Sequence, residues 1–495
     1  MKALDSIDRF GGIDADNDEI LLESFEDHQA FQALMNRERF LVIGRKGSGK
    51  TAIFKKLITI HDSAVFCSGH TLTDYPWHHH TLQARVGIPD FDKYTHSWKY
   101  LILLTASKVI LNHDQSLPFD DDSCDEAARI GRFVIDSYGT KDPDVTQIFS
   151  PTRVLHLKPY FELDWKLLKA GVKPEEVPMQ ELPVIVQELN ANLTRAVLRS
   201  LNPAHDYFIA FDQLDLGFDP ADRDYKNRLI GLLLAARDLN IAAKSAGKKF
   251  FVAVFLRDDI YDSLQFEDKN KITENFSSII EWDTPRSKNT LKLLMEKRFR
   301  ALLSEDSSEV TWEKVFNEGQ EMSGHQRKYQ HVLDRTFLRP RDVIRFCNGI
   351  LEQYKARKTA DPTIENCFEN IDVNDARVDY SNYFINELDD EIHKHLPAYK
   401  DYLEILRSIG TWQFAHDSFA KHFTMRYPNA STTPEAVLRD LFEFSIIGFY
   451  RPGGRGYGGS EYVFRYKEPA SRFDPTATQY RVHPGLMEHL GLKRL

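Results

Sequence analysis

Five short, mostly apolar stretches punctuate the first 290 positions: 40–43, 63–67, 207–211, 249–256 and 278–282, with 40–43, 207–211 and 250–256 unbroken. Runs this short and unbroken predict strands buried on both faces. Between them the apolar positions recur at helical spacing. Helices are predicted from Lys50 onward, over 96–111 (with Trp98, Leu101 and Leu104 among the apolar positions), over 183–200 with Pro183 in the first turn, and over 225–246. Strands alternating with helices predict a parallel sheet covered by helices, a three-layer α/β domain over 1–288 with an insertion at about 113–200. From Asn289 to 395 the pattern is helical: Leu291, Leu294, Met295 and Phe299 form one face, and Pro340 opens a helix whose apolar face is Val343, Ile344, Cys347 and Ile350. Over 396–495 three helices are predicted at 401–409, 412–427 and 433–447, the last with Thr433 as N-cap and Pro434 at its first position. A β-hairpin follows, 448–451 and 462–467 flanking the glycine-rich tip 452–459. Three helices and a hairpin predict a winged-helix domain.

At 495 residues two or three domains are expected. With 42% hydrophobic and 28% charged residues the composition is that of a globular protein. No segment approaches the roughly 18–20 apolar residues of a membrane span, and the first residues lack the apolar core of a secretory signal. Cys67, Cys124, Cys347 and Cys367 lie far apart without a C-x-x-C pair. This argues against a disulfide framework or a cysteine zinc site and for a reducing compartment, the cytoplasm. The net charge of −10 excludes a uniformly basic nucleic-acid surface. From Lys400 to the end 13 Lys and Arg stand against 10 Asp and Glu, which permits a nucleic-acid contact there without requiring one.

The first apolar run leads into Gly44-Arg45-Lys46-Gly47-Ser48-Gly49-Lys50-Thr51-Ala52. Strand, G-x-x-x-x-G-K-T and helix in succession form a phosphate-binding loop; a chance glycine-rich turn is the plain alternative. Gly44, Gly47 and Gly49 are expected to allow positive φ, so that main-chain N–H groups turn inward around phosphates. The helix start adds its positive dipole end. Lys50 would reach the β- and γ-phosphates and the Thr51 hydroxyl would ligate Mg²⁺.

The third run ends in Phe211-Asp212-Gln213-Leu214-Asp215. A carboxylate at the C-terminal end of a buried strand lies where open α/β sheets bind ligands. Asp212 would hold Mg²⁺, largely through water; capping the following loop is its other use. Many hydrolysing ATPases place a glutamate directly after that aspartate, and here the residue is Gln213. Glutamine orients water without taking its proton, so Asp215 becomes the candidate base and slow or stimulated hydrolysis is expected. The fourth run ends in Arg257, which either senses a γ-phosphate or pairs with Asp258 or Asp259. Arg339 and Arg341 stand at a helix start, where their charge opposes the dipole; they reach nucleotide phosphates, a neighbouring protomer or an acidic surface. The acidic run Asp120-Asp121-Asp122 with Asp125-Glu126 lacks the glycine turn of a calcium loop and reads as a solvated loop. His78-His79-His80 lacks partners at ligand spacing, which argues against a metal. On the wing, Arg451, Arg455, Tyr457, Arg465 and Lys467 could meet DNA, although many winged helices bind protein.

Together Gly44 to Ile53, Phe211 to Asp215, Val254 to Ile260, Arg339 to Asn348 and Tyr480 to Leu486 resemble bacterial P-loop ATPases of the AAA+/STAND (ASCE) type, over most of the chain and least from 113 to 200. The resemblance implies a P-loop NTPase domain, a helical lid over 289–395 and a winged helix. It implies ATP and Mg²⁺ as ligands, with ATP preferred over GTP. Arg257 and the Arg339–Arg341 motif would act as sensors, and many members are suspected of working in anti-phage defence. The leading expectation is therefore an ATP-driven switch that assembles as a homo-oligomer or controls a partner effector. A DNA-binding ATPase of the replication-initiator or loader type is the alternative. A small-molecule kinase is a third reading, disfavoured by chain size, the Asp212 motif and the winged helix.

Overall fold

The computed structural model describes residues 1–71, 90–114, 116, 119–148, 154–155, 177–178, 182–219, 221–284, 289–305, 309–393, 395–453 and 459–494. The triad His78–His80, and Arg455 and Tyr457 of the predicted glycine-rich tip, lie outside these residues. The chain forms two compact units: Met1–Asp27, Lys46–Gly49 and Glu281–Leu495 in unit 1, and His28–Arg45 and Lys50–Ile280 in unit 2.

Unit 2 is an α/β unit around a five-stranded, wholly parallel sheet. Its strands are β1 (Leu41–Gly44), β2 (Val65–Thr71), β3 (Asp206–Asp212), β4 (Lys249–Arg257) and β5 (Ser277–Ile279), in the spatial order β2-β3-β4-β1-β5. The three central strands are the unbroken apolar runs, buried almost throughout, while β2 and β5 at the edges are half-exposed. Helices α1 (Gln29–Met35), α2 (Lys50–Ile58), α3 (Asp90–Asn112), α4 (Asp121–Tyr138), α5 (Leu182–Ser200), α6 (Arg223–Ser245), α7 (Asp258–Ser263) and α8 (Lys269–Phe276) complete it. Register shows which face each helix covers. Phe211 of β3 sits opposite Val254 of β4, so Phe255 points to the other face. Phe211 meets Trp98 of α3 edge-on at 5.5 Å, and Phe255 meets Phe54 of α2 at 5.9 Å. The two helices therefore cover opposite faces, as parallel sheets require.

Three expectations for this unit change. Strand β2 runs to Thr71, beyond the apolar stretch ending at Cys67, because its whole length pairs with β3, from Val65 opposite Asp206 to Thr71 opposite Asp212. Gly69 in that extension carries no side chain because a Cβ there would lie 2.6 Å from the Phe54 ring. Strand β5 stops at Ile279, short of Trp282. The acidic run is no loop: Asp120 caps α4, its carboxylate accepting from the Ser123 N–H at 2.7 Å while the Ser123 hydroxyl reciprocates. Asp121 and Asp122 then fill the first turn, where negative charge opposes the dipole favourably. The helix is held by Ile130, Phe133 and Val134, all fully buried.

Unit 1 begins with Met1–Asp27, which packs with the C-terminal half. Phe10 is fully buried against Phe299 and Phe368, with ring centroids at 5.0 and 6.1 Å. Asp18 makes a two-oxygen ion pair with the buried Arg298. Helices α9 (Leu291–Leu303), α10 (Pro340–Ala360) and α11 (Asn370–Ile392) carry the helical part. The long pair α10 and α11 is joined by Phe346 stacked on Tyr380 at 4.4 Å. Three further helices follow, α12 (Tyr399–Ile409), α13 (His416–Arg426) and α14 (Pro434–Glu443), together with strands β6 (Gln413–Ala415), β7 (Ile447–Arg451), β8 (Glu461–Val463) and β9 (Gln479–Val482). These strands form an antiparallel sheet in the order β8-β7-β9-β6. Thr433 caps α14, accepting from the Ala436 N–H at 3.2 Å, with Pro434 at its first position. The stretch 412–427 is not one helix: Gln413–Ala415 is drawn into the sheet by β9, 64 or more residues later, and α13 starts only at His416. Helix α14 ends at Glu443, and Ser445 takes φ 59° to turn the chain into β7. Among the described residues no helix is long and apolar enough to cross a membrane.

Candidate functional site

In unit 2 the predicted site residues gather at the C-terminal edge of the sheet. Gly44 closes β1 directly beside Arg257, which closes β4, and Asp212 closes β3 on the far side of β4. Gly44 is a strand residue without a positive φ; only Gly47 (φ 77°) and Gly49 (φ 106°) enter the left-handed region, because pairing with β4 keeps Gly44 extended. Lys50 is the first residue of α2, and its ammonium donates to the carbonyls of Gly44 (2.7 Å) and Arg45 (2.9 Å). Burial lowers the Lys50 pKa, against the pull of the Asp212, Asp258 and Asp215 carboxylates. Thr51 turns its hydroxyl to the Asp212 carboxylate, and Ala52 continues the first turn of α2.

Asp212 is 2% exposed, and its Oδ2 has no hydrogen-bond partner. Burial raises its pKa, while the Gln213 N–H, the Thr51 hydroxyl and the Lys50 charge work the other way. A dry carboxylate with one unfilled oxygen, one residue's reach from a helix-start hydroxyl, fits a hard cation such as Mg²⁺. Gln213 takes φ 57°, a strained conformation for a residue other than glycine. The turn that follows is pinned by Tyr225, whose single hydroxyl proton is shared between the carbonyls of Leu214 (3.0 Å) and Leu216 (2.9 Å).

Arg257 pairs in a fork with Asp259, Nε to Oδ1 at 3.0 Å and Nη2 to Oδ2 at 2.6 Å, and reaches Asp215 through Nη1 at 3.3 Å. Of the two acids considered from the sequence, Asp259 rather than Asp258 holds it. Asp258 does something else: it is a second carboxylate whose pKa is raised by burial, offset by Arg45 and Lys50. The sequence reading gave Asp258 no part beside the loop and missed Tyr225 altogether. A doubled acid at the end of a central strand was the available signal for the first; nothing local marks the second.

In unit 1 the stretch Lys46–Gly49 has its own partners. Lys46 pairs with Asp390 (2.7 Å) and Glu387 (3.7 Å), and the Ser48 carbonyl accepts from the Trp282 indole at 2.9 Å. Ser48 is itself buried, with an unpartnered hydroxyl oxygen. Arg339 is 1% exposed. It binds Asp342 through Nε (2.8 Å) and Nη2 (3.0 Å), and through Nη1 it meets Glu391 and the Lys46 carbonyl (3.0 Å). Burial works against its charge, but the two carboxylates outweigh that and hold it fully protonated. Arg341 pairs with Glu387 (3.0 Å), donates to the Ile13 carbonyl (3.1 Å) and lies against Gly47, where a Cβ would come within 3.1 Å of its own. Carboxylates of α10 and α11 thus answer the charges that oppose the helix dipole.

The described cations expected near the hairpin are also matched by acids. Arg451 pairs with Glu461 (2.6 Å) and Glu468 (3.0 Å), Arg465 with Glu443 (3.1 Å), and Lys467 with Asp334 (3.1 Å).

Residues 289–389, the stretch carrying α9, α10 and most of α11, match the family described as the FunZ-associated C-terminal helical domain. No curated protein matches the chain.

Proposed function

We propose that this chain is an ATP-dependent switch of the P-loop type: Mg-ATP binds at Lys50, Thr51 and Asp212, is hydrolysed slowly, and its presence controls a partner effector or self-assembly. The observation that carries this is the unpartnered, buried oxygen of Asp212 beside the Thr51 hydroxyl. A buried charge left that way costs free energy unless a ligand completes it. The Gly44–Ala52 segment supplies the rest: two positive-φ glycines, a helix start and an ammonium held at the loop's own carbonyls. When bound, Mg²⁺ would supply charge neutralisation at the phosphates, with Thr51 and Asp212 holding it.

Slow turnover follows from two features. Gln213 cannot accept a proton, and Asp215 is engaged by Arg257. Arg257 is shared between two carboxylates, so an arriving γ-phosphate would compete for a guanidinium already aimed at this edge. A ligand shifts such a system only through unequal binding to its states. The winged-helix reading of 396–495 is supported by three helices and a four-stranded antiparallel sheet in that stretch. A place in defence against mobile elements rests on the sequence resemblance.

The test is Asp212→Asn. Nucleotide binding should persist within a few-fold while phosphate release stops; turnover at the wild-type rate would remove Asp212 from the metal site.

A further inference from the structure

Unit 1 contains a cavity of about 330 Å³ with a lining unlike that of a packing defect. Arg335, Arg481, Arg494 and Lys467 line it together with Trp412, Tyr462 and a single acid, Asp334. Arg335 is 1% exposed, and its Nε and Nη2 have no hydrogen-bond partner. The nearest carboxylate, Glu488, is 3.6 Å from Nη2, beyond hydrogen-bond reach, and is shared with Arg377 at 3.4 Å. Asp334 is already occupied, accepting from Lys467 (3.1 Å), Gln326 (2.9 Å) and Gln330 (2.8 Å). Arg481 lies between the rings of Tyr462 (3.8 Å) and Trp412 (4.4 Å), and Arg494 lies over Trp412 at 5.1 Å. Of the four cations that line the cavity (Arg335, Arg481, Arg494 and Lys467), Lys467 is answered by Asp334, and Arg335 only by Glu488, which Arg377 shares.

Such a surplus, dry at Arg335 and open to solvent at Arg494 and Lys467, is unfavourable where it is buried. Burial above all, joined by Arg377 and Arg494 against the pull of Glu488, brings Arg335 down to about 10. An oxyanion would reverse that balance. Forked guanidinium groups match phosphate oxygens, and the aromatic positions fix their planes. The cavity is several times larger than a bare phosphate and lies at the lower end of ligand-pocket sizes, roughly 300–1,000 Å³.

We propose that this cavity binds a nucleoside phosphate, its phosphate on Arg335 and Arg494 with the edge of Arg481, and its organic part along the wall formed by Trp412 and Tyr462. The site is separate from the one at Lys50 and does not depend on it. It gives the C-terminal part a small-molecule input of its own.

The test is isothermal titration of the full chain carrying Lys50→Ala with AMP, GMP, CMP, UMP and inorganic phosphate in turn. The expected result is binding of at least one mononucleotide below about 1 mM, weakened about tenfold or more by Arg494→Gln and by Arg481→Gln. Arg494 is near the chain end, so its variant carries the test if Arg481→Gln does not fold. Absence of mononucleotide binding, indifference to Arg494→Gln, or inorganic phosphate binding as tightly as the best nucleotide would each overturn the proposal. Equal binding with Lys50 restored would place the signal away from the loop, so failure here leaves the switch reading standing, and the reverse.

Discussion

Single residues in this chain are set by what surrounds them more than by their identity. Asp212 and Asp215 are both acids on one turn. Burial leaves Asp212 short of a partner, whereas Asp215 is tied to Arg257. His331 gives a sharper case. It is fully buried, its Nε2 has no partner, and burial first, then the charges of Arg335, Arg377 and Arg494, push its pKa down to about 2. The unfolded imidazole titrates near 6.5. Below that pH the unfolded chain takes up a proton that the folded chain refuses, so the stability present above about pH 6.5 is lost as pH falls. Between pH 6.5 and 4.5 the loss should be about 2–3 kcal/mol from this residue alone. Urea unfolding of the wild type and of His331→Gln across that range should show the slope reduced in the variant. Equal slopes would mean that His331 is hydrated or charged in the folded protein.

At the level of elements, the readable ones were those whose information is local. Strands β1, β3 and β4 are unbroken apolar runs, and Pro340 and Pro434 mark helix starts as expected. Elements that depend on distant partners were misread. The polar half of β2 exists because β3 pairs with it, and β6 because β9 does. The 120–126 acids were misread for a different reason: counted as charge they suggest solvent, but at a helix start the same charges cap and stabilise. Asp120→Ala should therefore cost about 1 kcal/mol and lower the melting temperature of the transition that includes α4 by about 2–4 °C, read by differential scanning calorimetry. An unchanged transition would show that Ser123 or solvent satisfies the helix start without it. The candidate site divides the same way. That Lys50, Thr51, Asp212 and Arg257 come together at one sheet edge follows from spacing, but the partners of Arg339 and Arg341 on α11 do not, because Glu387 and Glu391 lie 46 and 52 residues further along.

At the scale of the whole molecule, the proposed switch depends on a nucleotide held at the sheet edge of unit 2. The switch we propose needs a nucleotide that binds firmly and leaves slowly, which suits Gln213 after Asp212 better than a glutamate there would. The most direct measurement is isothermal titration of the full chain with Mg-ATP, wild type against Lys50→Ala. The account predicts a wild-type dissociation constant of about 1–100 µM, and weakening of about 100-fold or complete loss in the variant, because one ammonium–phosphate contact carries a large share of the affinity. Equal affinity in the two proteins, or no heat from the wild type with any Mg-nucleotide, would contradict it.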